Sequence, residues 1–213
     1  MGREDWFRHT TWTDADRNDF NARLDRSRAG NKAQYLRVQA IHLAQAGYHK
    51  SAIELLDRLF AESPGRFDLA IAHAQRADSL AKLGHIEAAI SEYRQALQAE
   101  RDFPNVQTNA WLDFGWLVVE KRLTSLYDEV ARVLQEFRSE GSLVFPALKY
   151  RYCAIRSLLA DARGDKEVAR EFANVALAEA AKEHSGLRYH STLGLVGSQR
   201  GTFDSRLRKL AGS

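Results

Sequence analysis

Seven histidines, a single cysteine and a pair of close glycines are the residues that could carry chemistry here, and their spacing argues against each use. Two histidines four apart on one helix face could begin a metal site, but His42 and His49, or His184 and His190, lack that spacing, and Cys153 is far from the first pair and apart from the second. Cys153 has no partner for a disulfide and falls inside a helical pattern, where a small buried hydrophobe is expected. The run Gly194-Leu195-Val196-Gly197 lacks the Lys-Ser/Thr of a phosphate loop and follows no strand. Neither a nucleophile elbow nor a catalytic dyad is recognisable. The expectation is a protein that is not an enzyme and uses no cofactor or metal.

The charged residues suggest binding instead. Lys and Arg number 31 against 28 Asp and Glu, a formal charge of +3, with a pI near 9.0. Most are interspersed, as on a solvated mixed surface. The local excess is at the end of the chain, where Arg200, Arg206, Arg208 and Lys209 face only Asp204. Clustered cations are the footprint of nucleic-acid contact. A nucleic-acid-associated helical repeat protein, using its basic surface and C-terminal tail, is therefore the alternative to the reading below.

The elements that must position these residues are helices. Hydrophobic residues make up 45% and charged residues 28%, and the three prolines, Pro64, Pro104 and Pro146, stand where helices would begin or end. Between residues 32 and 101 one unit occurs twice. Ala40, Gly47 and Ala52 are followed by Ala77, Gly84 and Ala89 at an offset of 37 residues. Each glycine closes a helix where a positive φ is needed. The small residues on either side of it let two helices cross closely.

Thr13 is expected to cap a helix running to about Arg28, with Ala29-Gly30-Asn31 breaking it and Asn31 capping the next, Lys32 to about Ala46. A third hairpin begins near Gln107. Its turn departs from the pattern, with Arg122 at the glycine position and Tyr127 at the small one. Ser125 and Asp128 suggest a cap for its second helix. Gly141 and Pro146 mark a boundary, after which Ser157, Gly164 and Ala169 restore the spacing. Beyond Gly186 an ordered tail is expected to pack its apolar residues on the last hairpin, and Asp204 to cap a short basic helix.

The unit 33–66, with Leu36, Ala40, Leu43, Gly47, Ala52, Leu56, Leu59 and Pro64, resembles a tetratricopeptide repeat, the helix-turn-helix module of about 34 residues. The second copy carries Ala77, Leu80, Gly84, Ala89, Tyr93 and Ala96, and departs at His73, where that family favours a larger residue. The resemblance implies an all-α fold, a right-handed α-solenoid of about four such hairpins over residues 32–184. An aromatic segment and cover helix (1–31) would precede it and a capping tail (185–213) would follow. It implies a non-enzymatic protein–protein interaction module (adaptor, scaffold or chaperone-like) that binds an unidentified peptide or protein in a concave groove. Carried onto this sequence, the groove positions are Gln34, Arg37 and Ile41; Ile71, Ala74, Gln75 and Asp78; Asn109, Leu112, Asp113 and Trp116; and Arg151, Ala154 and Leu158. Trp116 is the candidate anchor. Ile41 stands where members that hold a C-terminal carboxylate use Asn, so that mode is not expected.

Trp6, Phe7 and Trp12 offer either self-association, by insertion into a neighbouring molecule, or packing within their own chain, and the second is preferred. The first residues carry no apolar core for export. No run approaches the roughly 18–20 apolar residues that cross a bilayer. A cytoplasmic protein that does not engage membranes is expected.

Overall fold

The structure, a computed structural model, describes residues 5–62, 64–138, 143–197 and 203–212. Among these residues the protein is all-α, with ten α-helices. They are α1 (Asp14–Asp25), α2 (Ala29–Gln45), α3 (His49–Ala61), α4 (Arg66–Lys82), α5 (Ile86–Asp102), α6 (Ala110–Glu120), α7 (Tyr127–Phe137), α8 (Pro146–Ala162), α9 (Lys166–Ala180) and α10 (Phe203–Ala211). The chain divides into two compact units, residues 1–110 and 111–213. Packing within each is sequential. In the first, α2 pairs with α3 and α4 with α5, and α3 lies against α4; in the second, α8 pairs with α9, α7 lies on α8, and α10 packs on α8 and α9.

One turn recurs. The amide of Gly47 donates to the Ala44 carbonyl and that of Tyr48 to Leu43; Gly84 and His85 do the same to Ala81 and Leu80, and Gly164 and Asp165 to Asp161 and Ala160. This closure satisfies the last carbonyls of a helix and needs a left-handed residue, which the glycines supply at φ 89°, 83° and 83°. The α6–α7 turn makes the same two bonds, Arg122 to Val119 and Leu123 to Val118. There an arginine takes the glycine conformation, at φ 55°.

The small residues around each turn are buried as the spacing requires. Ala40 is 1% exposed, and Ala52, Ala77, Ala89 and Ala169 are fully buried. The closeness of the crossing is visible between α8 and α9, where Ser157 Oγ donates to the Ala169 carbonyl at 2.7 Å. In α6 the matching position is Gly115, where a Cβ would stand 3.2 Å from both Val130 and Ile155. The missing side chain lets α7 and α8 both approach.

At the N-terminus, Thr13 and Asp16 form a reciprocal capping box on α1. The aromatics pack within their own unit. Trp6 lies 4.8 Å from Tyr35 and 5.7 Å from Phe20, Phe7 4.8 Å from Tyr35, and Trp12 5.7 Å from Phe20. Gln39, buried on α2, clamps this segment by accepting from the His9 amide and donating to its carbonyl, both at 2.9 Å.

Four expectations need correction. Asp204 lies inside the first turn of α10 and pairs with Arg208 along the helix, and does not cap it. The break before α2 lies at Ser27, whose hydroxyl and amide both bond the Leu24 carbonyl, so Arg28 and not Asn31 precedes α2 and Ala29-Gly30 forms its first turn. Ser125 caps nothing: it sits in a 3-10 turn, Thr124–Leu126, and Leu126 precedes α7 without a side-chain bond. The tail packs through Gly194 and only part of its apolar set, Leu187, Leu195 and Val196, which are half-buried. A Cβ at Gly194 would collide with the Phe145 ring, and its carbonyl accepts from the Ala147 amide, while Tyr189 and Leu193 stay exposed. Gly141, Arg200 and Gly201 lie outside the described residues.

Candidate functional site

Several groove positions are engaged within their own unit. Arg37 on α2 pairs with Asp68 on α4 at 2.8 Å, and Arg151 on α8 pairs with Asp113 on α6 at 2.6 Å. Each pair joins the first helices of two hairpins. The Arg151 guanidinium also lies 5.2 Å over the Trp116 ring, which packs against Phe203 of α10 at 4.3 Å and Tyr150 of α8 at 6.0 Å. Trp116 is thus covered on one side by the C-terminal helix. Asp78 accepts from the Tyr93 hydroxyl. Gln34 and Asn109 are exposed, and Ile41, Ile71 and Gln75 are half-buried. Ala74, Leu112, Ala154 and Leu158, which the resemblance places on a groove, are buried.

In residues 111–213 a cleft of about 1060 Å³ lies between the α6–α7 turn, the α8–α9 hairpin and α10. Arg122, Thr124 and Tyr127 come from the turn and the start of α7, Asp161 from the end of α8, Lys166, Glu167 and Arg170 from α9, and Arg206, Lys209 and Leu210 from α10. The α10 sequence explains its orientation. Phe203 and Leu207, four apart, are buried. Arg206 Nη1 reaches the Val119 carbonyl at 3.4 Å, while Arg208 pairs with Asp204 along the helix. Seating the apolar stripe therefore presents Arg206 and Lys209 to the cleft. Five cationic side chains there face two carboxylates, one of which, Asp161, is already paired with Lys166.

The left-handed arginine belongs to this cleft. Three of four equivalent turns use glycine, and the one that does not places its side chain in the cation cluster. Backbone strain of this kind persists where surrounding structure enforces it, and it gathers at functional positions.

The residues considered for catalysis are placed differently. Cys153 is buried, and burial pushes its thiol up to about 11, with the cations Lys149, Arg156 and Arg138 pulling weakly the other way. A thiol so protonated is a poor nucleophile. No group of three or more metal-ligating side chains occurs among the described residues. No described helix is long and apolar enough to cross a membrane.

Two polar clusters were not foreseen from the sequence. His73, set down above as a departure, stacks on Phe60 at 4.5 Å and bonds Glu92 at 2.7 Å. Arg76 then joins Glu92 to Asp57, tying α3, α4 and α5 together. Burial pushes the Glu92 carboxyl up, but its bond to His73 and the charge of Arg76 more than reverse this, and the net displacement is downward. Glu100, buried on α5, accepts from the Thr108 amide and hydroxyl ahead of α6; burial outweighs those bonds and holds its carboxyl above the ordinary range. No protein-family model, no curated protein and no solved structure matches the chain.

Proposed function

We propose that the protein is a non-enzymatic interaction module of tetratricopeptide-like hairpins that holds an acidic segment of a partner protein in the basic cleft beside α10. The observation that carries this reading is the convergence of Arg122, Lys166, Arg170, Arg206 and Lys209 on one cavity against Asp161 and Glu167. Supporting the module reading are the four hairpin turns closed by the same hydrogen bonds and the buried small residues beside them. A cleft rich in one sign of charge concentrates ligands of the other and speeds their encounter. A protein segment suits it better than a nucleic acid. Single-stranded nucleic acids stack their bases on exposed aromatics, and the aromatic residue of this lining, Tyr127, is only 8% exposed.

The test uses the full chain and a fluorescein-labelled glutamate-rich peptide, read by fluorescence polarisation at low and physiological salt. Binding that weakens with salt, and at least tenfold more in the double variant Arg122→Glu, Lys209→Glu, is the expected result. Absence of binding at low salt, indifference to the double variant, or displacement of the peptide by an equal concentration of single-stranded RNA would each overturn the proposal.

A further inference from the structure

A second cavity, of about 930 Å³, opens among α7, α8 and the start of α9, and its chemistry differs from that of the basic cleft. Tyr152, whose ring is buried, is among the residues that line it. Arg156 Nη1 donates to the Tyr152 hydroxyl oxygen at 3.1 Å and Arg138 Nη1 at 3.5 Å. The guanidinium carbons lie 5.9 Å and 5.3 Å from the Tyr152 ring centre, and that of Arg156 is also 4.8 Å from the Phe172 ring. Two arginines from different elements, α8 and the end of α7, thus meet at one oxygen. Among the described residues neither guanidinium is paired with a carboxylate. The acidic side chain in the lining, Asp165, caps α9 by accepting from the Val168 amide, and Arg163 at the rim is taken up by Asp128.

Like charges brought this close repel, and a phenol oxygen carries no formal charge to offset them. Each guanidinium has five donors in a fixed fork, and one bond to Tyr152 leaves the rest of the fork unused. Because Tyr152 accepts from both arginines, its own hydrogen is left to donate. Two forks and a hydroxyl donor around one point match the several oxygens of a tetrahedral dianion better than the two of a carboxylate. The cavity is far larger than such an anion, and Ala131, Leu159 and Val168 supply apolar wall for whatever bears it.

We propose that this cavity is a phosphoryl-binding site. Arg138 and Arg156 grip the phosphoryl oxygens, Tyr152 positions both arginines and donates its hydroxyl hydrogen, and the apolar wall contacts the body of the ligand. This proposal is independent of the acidic-segment reading and uses different side chains.

The test is thermal unfolding and isothermal titration of the full chain at constant ionic strength. The probes are inorganic phosphate, a hexose phosphate, and a phosphoserine peptide with its unphosphorylated form; sodium chloride is the ionic control. Saturable binding of at least one phosphoryl probe is expected, with affinity lowered at least tenfold in Arg156→Gln and in Arg138→Gln and lowered less in Tyr152→Phe. Arg138 is exposed at the end of α7, so its variant tests the site even where Arg156→Gln, which loses contacts with Phe172, unfolds. Tight binding of the phosphoserine peptide alone would assign a modified protein as the source, and tight binding of the hexose phosphate a metabolite; either supports the site. No saturable binding at millimolar concentration, or equal binding by wild type and Arg138→Gln, would overturn it. A purely structural role for the two arginines would change the melting temperature of the variants but leave no phosphate dependence to lose.

Discussion

Replacing Arg122 by glycine separates what the α6–α7 turn needs from what the cleft needs. At φ 55° the arginine backbone is left-handed, which costs an L-residue about 1–2 kcal/mol. Glycine removes that cost. It also frees the unfolded chain, which offsets about 0.4–1 kcal/mol of the gain. The expected net effect is therefore between no change and about 1.5 kcal/mol of stabilisation, at most about 6 °C in Tm for a chain of this size. The reverse change calibrates the argument. Gly84 has φ 83° and open space where a Cβ would go, so Gly84→Ala meets backbone strain alone, about 1–2 kcal/mol less the same unfolded-chain offset of about 0.4–1 kcal/mol, a net loss of up to about 1.5 kcal/mol. Urea denaturation followed by far-UV circular dichroism gives both numbers, and the polarisation assay with the acidic peptide gives the other half. Arg122→Gly should keep or raise stability while weakening the peptide. Destabilisation beyond about 1 kcal/mol would mean that the arginine side chain holds the turn together, and the case for reading its strain as functional would collapse. Unchanged peptide affinity would remove Arg122 from the cleft's function whatever the stability.

Two further outcomes follow from the first unit. Ala89→Leu, at a fully buried position on α5, should cost about 1–3 kcal/mol by overpacking, whereas Ala88→Leu, exposed beside it, should stay within about 0.5 kcal/mol of wild type; equal effects in denaturation curves would refute the assigned crossing. Because the Glu92 carboxyl is held below its ordinary 4.5, it stabilises the fold above that pH and loses its contribution as pH falls through its lowered folded value. Glu92→Gln should therefore be less stable than wild type by about 1–3 kcal/mol near neutrality, and the gap should close in acid. A gap that persists at the lowest pH where both remain folded would contradict the carboxylate's role.

The hairpins were legible because two local demands admit few residue types. A left-handed turn favours glycine, and a close helix crossing favours alanine, glycine or serine. Gly47, Gly84 and Gly164, with Ala40, Ala52, Ala77, Ala89, Ser157 and Ala169, could therefore be read by spacing alone. Boundaries fixed by weaker preferences were not. Several polar residues can end or begin a helix, and the break falls at Ser27 and not at Asn31 because the Ser27 hydroxyl donates to the Leu24 carbonyl at the end of α1. The tail misled for a related reason. Tyr189 and Leu193 are apolar enough to suggest burial, yet the contact with Phe145 needs the absence of a side chain at Gly194.

The site was less legible because its parts meet across turns. Arg37 and Asp68 are 31 residues apart and Asp113 and Arg151 are 38 apart, close to one period in each case, so a pattern read along a single helix marks each as an unpaired surface charge. Tyr152 and Arg156 meet four apart along α8, but Arg138 joins them only when the end of α7 is laid on α8. Arg122 is different. Its position was identified by the repeat spacing, and its residue type failed the expectation there. A surface charge that departs from a pattern carries little information, because almost any residue is tolerated on a surface. A departure at a position whose backbone favours glycine costs free energy in the folded state. It persists only if the side chain contributes something that glycine cannot, and the cleft of Lys166, Arg170, Arg206 and Lys209 into which Arg122 projects is where that contribution would be made.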